Sequence, residues 1–198
     1  MTQRPLTRPG VRMLNHVELV YPPGERRLAR LLLECLGFRV VDPQKDPVPE
    51  ELGPAAGPYL IVFLDREDES VFDNVIYASE VREEQWRFES AIRDRLKKDE
   101  KLAELHEGLR DAFANIPQAM THFGVAFPSA DEVEQAMKRI AATPELEGRV
   151  SLSKLYVPGG EGSADDRVAQ GFVYTDVISA GLLCGGQQIE LQVRLDGG

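Results

Sequence analysis

The first clear pattern in the chain is an alternation of apolar and polar residues over 14–21, LNHVELVY. Strict period-two counting places Val17 and Leu19 on one face and His16 and Glu18 on the other. An alternation of this kind predicts a half-buried strand. The PPG that follows is a turn signal.

A helix and three further strands are predicted before residue 82. The helix covers 25–36, and Gly37 suits the left-handed position that ends helices. The strands are 38–42 (FRVVD), 59–65 (YLIVFLD) and the weaker 74–81 (NVIYASEV), with a proline-rich loop before the second of them. The apolar residues that predict the helix fall at i, i+3, i+4 and i+7: Leu28, Leu31, Leu32 and Cys35.

The segment 82–114 departs from this pattern and reads as one or two amphipathic helices. Its simplest role is a cover over one edge of the fold, and the alternative is a subunit contact or a lid over a pocket. We expect a cover that also contacts a second subunit. The apolar stripes are Trp86, Phe88, Ile92 and Leu96, then Leu102, Leu105, Leu109 and Phe113.

The first pattern then returns. A strand over 121–127 (THFGVAF) precedes a helix in which Ser129 and Glu132 have capping-box spacing. Three more strands are predicted, at 149–157, 171–179 and 187–193. The chain therefore reads as two copies of strand, helix, strand, strand, strand, joined by a helical insertion.

Composition narrows the classes of partner. Lys and Arg number 23 against 33 Asp and Glu, a formal net charge of −10, and no basic run stands out. Because phosphate backbones need a basic surface, we do not expect nucleic acid as a partner. The sequence shows no signal peptide and no apolar stretch of the roughly 20 residues that span a membrane, which favours a cytoplasmic protein without membrane contact. The two cysteines, Cys35 and Cys184, neither require nor exclude a disulfide.

Three strands carry a His or a Glu on the face opposite their bulky apolar residues. His16, His122 and Glu190 each lie on the strand face opposite the bulky apolar side chains. A site that lines a cavity needs this arrangement, because the other face must pack against the helices. The opposing residues are Val17 and Leu19, then Phe123, Val125 and Phe127, then Ile189, Leu191 and Val193.

The duplicated module resembles the vicinal oxygen chelate superfamily, which includes glyoxalase I, the bleomycin-resistance proteins and the type I extradiol dioxygenases. The resemblance lies in NHVELVY and ARLLLECLGFRVVD, in THFGVAFPSADEVEQAMKRI, and in VYTDVISAGLLCGGQQIEL. It implies an α+β fold of two βαβββ modules, residues 13–81 and 119–195, that form a curved open barrel around a cavity. The helical insertion, 82–118, lies between the modules.

The resemblance also implies a divalent metal ion held by His16, His122 and Glu190. Two imidazoles and a carboxylate make a facial triad with open positions for substrate, and Fe, Mn, Ni and Zn suit these ligands about equally. Some members of the superfamily take a fourth ligand from the last strand of the first module. Aligning Ile76 with Ile189 offers Tyr77 for that place, and a shift of three residues offers Glu80.

Tyr156 and Tyr174 are candidate catalytic residues, because a phenol near the cavity donates or accepts one proton. The structural alternative is that each fills space at a strand edge. His106, on the insertion helix, has no partner in the pattern, and we expect it to be solvated.

Together these features favour a metal-dependent enzyme of the glyoxalase or extradiol dioxygenase type. Its small-molecule substrate would chelate through vicinal oxygens, and the metal would stabilise an enolate- or catecholate-like intermediate. The alternative is a metal-free, drug-sequestering protein of the bleomycin-resistance kind, which has the same fold. A homodimer is a further expectation.

Overall fold

In a computed structural model of the protein, the structure describes residues 14–48, 57–68, 70–71, 73–163 and 167–195. The predicted modules 13–81 and 119–195 therefore lie partly outside the described residues, at 13, 49–56, 69, 72 and 164–166. Within the described ranges the chain forms a mixed α+β fold, as predicted, and none of its helices is long and apolar enough to cross a membrane. The elements are β1 (His16–Tyr21), α1 (Arg26–Cys35), β2 (Arg39–Val41), β3 (Leu60–Phe63), β4 (Val75–Glu80), α2 (Glu83–Leu96), α3 (Glu100–Asn115), β5 (His122–Ala126), α4 (Ala130–Ala141), β6 (Val150–Leu152), β7 (Val168–Thr175) and β8 (Gln187–Arg194).

The strands form two four-stranded sheets that repeat one order, β1-β4-β3-β2 and β5-β8-β7-β6. In each sheet the first and last strands in sequence are parallel neighbours, and the other pairs are antiparallel. The parallel registers match: His16 pairs with Val75, and His122 pairs with Gln188. The helix between the first two strands of each sheet supplies the crossover that such parallel neighbours need.

One hydrophobic core joins the two sheets through the helices α1 and α4. The apolar face of each sheet contributes to it, and so do the buried faces of both helices. At its border the rings of Phe38 and Phe127 lie 6.4 Å apart. The alternation in sequence therefore placed the apolar faces correctly. The core residues include Leu19, Leu32, Leu33, Val133, Ala136, Ile140, Ile189, Leu191 and Val193.

Two helix termini follow their sequence signals. Gly37 has φ of 97° and terminates α1, where the backbone N–H of Phe38 donates to the carbonyl of Leu33. At the start of α4 the Ser129 hydroxyl accepts a hydrogen bond from the backbone N–H of Glu132, at 3.3 Å. Both predicted boundaries are confirmed.

Direct contacts also connect the two halves of the chain. Val20 and Ser179 exchange two backbone hydrogen bonds of 2.8 and 2.9 Å, so the loop after β7 reaches the free edge of β1. The guanidinium of Arg149 binds Glu25 at 2.9 Å and Asp176 at 2.6 Å. Cys35, a free thiol like Cys184, lies 3.4 Å from the Thr143 hydroxyl oxygen.

The insertion helices pack against the second sheet on the face that α4 leaves open. The ring of Phe113 lies 4.7 Å from that of Tyr174, and the buried carboxylate of Glu89 accepts a hydrogen bond from the Cys184 backbone N–H at 2.8 Å. The predicted stripes are only partly correct. Phe88 and Leu105 are 58% and 59% exposed, because α2 and α3 turn only part of their surface to the sheet.

Two predicted strands have different bounds. The strand expected over 149–157 ends at Leu152, because the Ser153 hydroxyl oxygen accepts the Phe172 backbone N–H. Tyr156 rejoins the sheet through an isolated bridge to Gln170. The strand expected over 171–179 runs over Val168–Thr175 instead, and the Thr175 hydroxyl accepts from the Val177 N–H in the turn that ends it.

Candidate metal centre

The structure brings His122 and Glu190 together on the inner face of the second sheet, the face away from α4. Nε2 of His122 lies 3.2 Å from Oε2 of Glu190. The two residues belong to the parallel neighbours β5 and β8, offset by two positions in the register, so both side chains rise from the same face. The side chains are 24% and 8% exposed, which leaves a path to solvent on the histidine side.

A backbone contact fixes the orientation of the His122 ring. Nδ1 lies 2.7 Å from the carbonyl oxygen of Met120, and because a carbonyl only accepts, Nδ1 carries the proton. In neutral imidazole Nε2 then holds a lone pair, and this atom lies 3.2 Å from the carboxylate oxygen of Glu190. A shared cation, either a proton or a metal ion, would offset the repulsion between two electron-rich atoms at this distance.

Two amides hold the Glu190 carboxylate. Its Oε1 accepts from Nε2 of Gln170 at 2.5 Å and from Nε2 of Gln192 at 3.0 Å. Oε2 is left for His122. Gly124 gives this oxygen room, because a Cβ at that position would lie 3.2 Å from it.

Imidazole nitrogen and carboxylate oxygen are both donor types that bind divalent transition-metal ions. An imidazole whose second nitrogen donates to a carbonyl and a carboxylate held by neighbouring amides are common features of metal ligands. Among the described residues, no group of three or more His, Cys, Asp or Glu side chains is close enough together to hold an ion. The structure therefore joins two of the three predicted ligands.

His16 is not joined to this pair. It lies at the start of β1, is exposed, and places Nδ1 3.0 Å from the Asn15 amide oxygen and its ring 5.8 Å from that of Tyr77. It does line a groove of about 1340 Å³ together with Gly124 and Ala126 of β5. His16 and the strand that carries His122 therefore border the same open space.

The strand register distinguishes between the two candidates for a fourth ligand. Glu18 pairs with Tyr77 as Gly124 pairs with Glu190, so Tyr77 occupies the place that matches Glu190. Glu80 lies three residues further along, on the side of the sheet that faces α1. Its carboxylate accepts from the backbone N–H of Gly24 at 2.9 Å, in the turn before that helix.

The two candidate catalytic tyrosines have other contacts. The Tyr174 hydroxyl donates to the Gly185 carbonyl at 3.2 Å, and burial raises the pKa of this phenol, so it is neutral at neutral pH. Tyr156 is 9% exposed and meets the ring of Phe172 edge-on at 6.0 Å. Phe172 in turn lies 5.7 Å from the His122 ring, so it stands between Tyr156 and the pair.

Sequence reasoning missed a cavity beneath α3. It measures about 520 Å³ and lies between that helix and strands β6, β7 and β8. His106, expected to be solvated, borders it and places Nε2 2.8 Å from the Cys184 carbonyl oxygen. The partner is 78 positions away in sequence, so no local pattern signals it.

Comparison of the chain with protein-family models, with curated proteins and with solved structures finds no match. The interpretation of the site therefore depends on its own geometry.

Proposed function

We propose that the protein is a metal-dependent enzyme of the vicinal oxygen chelate type, with His122 and Glu190 as two ligands of a divalent cation. The supporting observation is that Nε2 of His122 lies 3.2 Å from Oε2 of Glu190. The other ring nitrogen and the other carboxylate oxygen already have hydrogen-bond partners. Neither side chain needs to reorganise its hydrogen bonds to bind an ion. The substrate would be a small molecule with two neighbouring oxygen atoms.

The proposal assigns His16 as the third ligand. It borders the groove that Gly124 also lines, and Gly124 lies directly beside the Glu190 carboxylate. The two sheets would then act as the halves of a curved open barrel made of two βαβββ modules. Tyr77 rather than Glu80 occupies the matching place in the first sheet, and a phenol is a weaker metal ligand than a carboxylate, so three protein ligands are proposed.

Each residue around the pair has a defined role. Met120 holds the His122 tautomer, while Gln170 and Gln192 orient the carboxylate. A bound divalent ion would supply Lewis acidity, which stabilises negative charge on coordinated oxygens. Tyr174, neutral and engaged with Gly185, is assigned a packing role, and no proton transfer is assigned to Tyr156.

Metal analysis tests this proposal directly. Protein purified without chelator or affinity tag would be titrated with Mn²⁺, Ni²⁺ and Zn²⁺ by calorimetry, beside His122→Ala, Glu190→Gln and His16→Ala. We expect one ion per chain in the wild type and at least tenfold weaker binding in each of the first two variants. Glu134→Gln, which neutralises a carboxylate on α4 that pairs with Lys138, is the matched control and should bind normally.

The result for His16→Ala has a separate meaning. Weaker binding would support the third ligand, and unchanged binding would restrict the site to two protein ligands. Wild-type protein that binds none of the three ions, or binds them as tightly without His122 and Glu190, would overturn the metal proposal. The alternative function, a metal-free protein that binds small molecules, would then be the better proposal.

A further inference from the structure

One edge of strand β5 is open. β5 is the outermost strand of the second sheet, and among the described residues β8 is its only strand partner. The backbone N–H of Phe127 donates to the Gln192 carbonyl at 2.7 Å, so the odd-numbered residues here direct their backbone groups towards β8. The backbone groups of Gly124 and Ala126 therefore point away from β8, and both residues are exposed. An exposed edge of this kind can pair with a further strand.

The first sheet shows which partner fits such a position. His16 and His122 hold matching places in the two parallel registers, 106 residues apart, and the same offset carries Val20 onto Ala126. The N–H and C=O of Val20 both pair with Ser179, at 2.8 and 2.9 Å, in an antiparallel bridge. In the part of the chain that the structure describes, no backbone segment forms such a bridge with Ala126. An extended backbone segment is therefore the partner that matches this edge.

The groove that Gly124 and Ala126 line is large enough for such a segment. Its volume of about 1340 Å³ exceeds the roughly 300–1,000 Å³ typical of small-molecule sites. β1, which borders the groove on its other side, belongs to the first sheet and does not pair with β5. A strand added beside β5 would gain backbone hydrogen bonds and place alternate side chains on the two faces of the sheet.

The two faces of β5 favour different side chains in an added strand. Gly124 and Ala126 are small and exposed, so they leave room for long side chains on the inner face. Phe123 and Phe127 are half-buried and offer apolar contact on the face towards the helices. Because directly opposed residues of an antiparallel pair share a face, long side chains fit opposite the first two residues and aliphatic ones opposite the phenylalanines.

The charges around the groove favour a basic segment. Three carboxylates and two guanidinium groups line the space and sum to −1: Glu34, Asp65, Glu132, Arg66 and Arg139. Nε of Arg139 already donates to the Cys35 carbonyl at 2.8 Å. Since the whole chain carries −10, a basic peptide is attracted to this surface and an acidic one is repelled.

We propose that the open edge of β5 binds an extended, basic peptide segment of a partner protein as an added antiparallel strand. Long basic side chains of that segment lie opposite Gly124 and Ala126, and aliphatic side chains alternate with them. The proposal goes beyond the metal site and does not depend on an ion, because backbone groups make the principal contacts. Binding therefore proceeds equally in the presence of a chelator.

End-blocked heptapeptides of alternating lysine and valine test the proposal on the full chain in EDTA buffer. In the proposed pairing the lysines lie opposite Gly124 and Ala126, so their backbone N–H groups face β5 and those of the valines face away. We expect N-methylation of the lysine backbone nitrogens to weaken binding at least tenfold by calorimetry. N-methylation of the valine nitrogens is the matched control and should change the affinity less than threefold. No binding by the unmodified peptide, or equal affinity for the two methylated peptides, would overturn the proposal.

A peptide in which glutamate replaces lysine tests the role of charge. It keeps the alternation and the backbone donors, so only the sign of the charge differs. We expect it to bind at least tenfold more weakly than the lysine peptide. Equal affinity would contradict the preference for a basic segment.

Amide hydrogen exchange locates the bound peptide. The lysine–valine peptide should slow the exchange of the Gly124 and Ala126 N–H groups at least tenfold, because both become hydrogen-bonded to it. Unchanged exchange at these two positions, with slower exchange at the outer strands β2 or β6, would contradict the assignment to β5.

Two substitutions test the same edge from the side of the protein. Ala126→Pro removes the outward N–H and should weaken peptide binding at least fivefold. Glu132→Lys reverses a charge that lines the groove and should weaken binding at least threefold. Glu134→Lys, on the same helix but outside the groove lining, is its matched control, and an equal effect of the two reversals would contradict the location. Should Ala126→Pro fail to fold, the methylated peptides on the wild type still decide the proposal.

Sedimentation velocity distinguishes a partner protein from a second copy of this chain. The proposal expects the association state of the protein to be the same with and without the lysine–valine peptide. A dimer of the free protein that dissociates when the peptide is added would assign the edge to a second copy and overturn the choice of partner.

Discussion

Nε2 of His122 lies 3.2 Å from Oε2 of Glu190, although the two residues are 68 positions apart in the chain. The contact exists because β5 and β8 are parallel neighbours in one sheet. Both partners are oriented by other groups before they meet, the imidazole by a carbonyl and the carboxylate by two amides. Predictions about this contact can therefore be made without altering either residue.

Gly124→Ala should weaken the proposed metal binding while the fold persists. The added methyl group would lie 3.2 Å from Oε2 of Glu190, so the carboxylate must shift away from its present position against His122. We expect about a tenfold loss of metal affinity by calorimetry, in line with other changes beside metal ligands. Gly108→Ala, where a Cβ meets nothing within 4 Å, should leave the affinity unchanged, and an unaltered Gly124→Ala would show that the carboxylate position is not critical.

Gln170→Leu should destabilise the protein by about 1–3 kcal/mol, because it removes a donor from a buried carboxylate. Gln170 is 8% exposed and its Nε2 lies 2.5 Å from Oε1 of Glu190. Urea denaturation measures the change. Gln135→Leu, on the exposed surface of α4, should stay within about 0.5 kcal/mol of the wild type, and an equal effect of the two substitutions would contradict the prediction.

Asp42→Asn should reduce stability by about 1–3 kcal/mol at neutral pH. Asp42 is 1% exposed, and its Oδ1 accepts from Arg26 at 2.6 Å. The hydrogen bond from the Arg26 guanidinium is the main cause that lowers the pKa of this carboxyl below its ordinary value. Its contribution is therefore present above the unfolded-state pKa of about 3.9 and is lost as the pH falls through the lower, folded-state pKa.

Denaturation curves at several pH values test this linkage. The variant should lose less stability than the wild type on acidification below about pH 4, since its side chain no longer titrates. Asp94→Asn, which removes a carboxylate that is 63% exposed in its pair with Lys97, should behave like the wild type. Parallel acid profiles for wild type and Asp42→Asn would refute the assignment.

Gly171→Ala should destabilise the contact between α4 and β7. A Cβ at this position would lie 2.9 Å from Met137 Sδ and 3.2 Å from Val133 Cγ1. Overpacking of this kind costs about 1–3 kcal/mol. Because Met137 is the closer neighbour, Met137→Ala in the same chain should recover part of the loss, and additive effects of the two substitutions would argue against direct contact.

Local patterns predicted most elements of the fold but not their pairing. The i, i+3, i+4 spacing gave α1 and α4, and alternation gave the correct faces of β1, β5 and β8. The strand over 149–157 was overextended because alternation ignores side chains that compete with the backbone. Ser153 takes the hydrogen bond of Phe172 and ends the strand early.

The candidate site was predictable only where both partners lie on strands. Alternation placed His122 and Glu190 on the inner face, and their distance followed from a register that the sequence does not state. The register also favours Tyr77 over Glu80 at the matching place, whereas the sequence pattern alone allows either residue. The partner of His106 and the cavity that it borders depend on how α3 packs, so single-sequence patterns give no signal for them.

The paired hydrogen bonds between Val20 and Ser179 have a consequence for solubility. β1 is the outermost strand of its sheet, and an open edge of this kind is a template for aggregation. A loop from the other half of the chain covers part of that edge, so the protection exists only after both halves have been synthesised and folded. A nascent chain that has emerged only as far as α3 therefore exposes the open edge of β1, because the loop that carries Ser179 has not yet been synthesised.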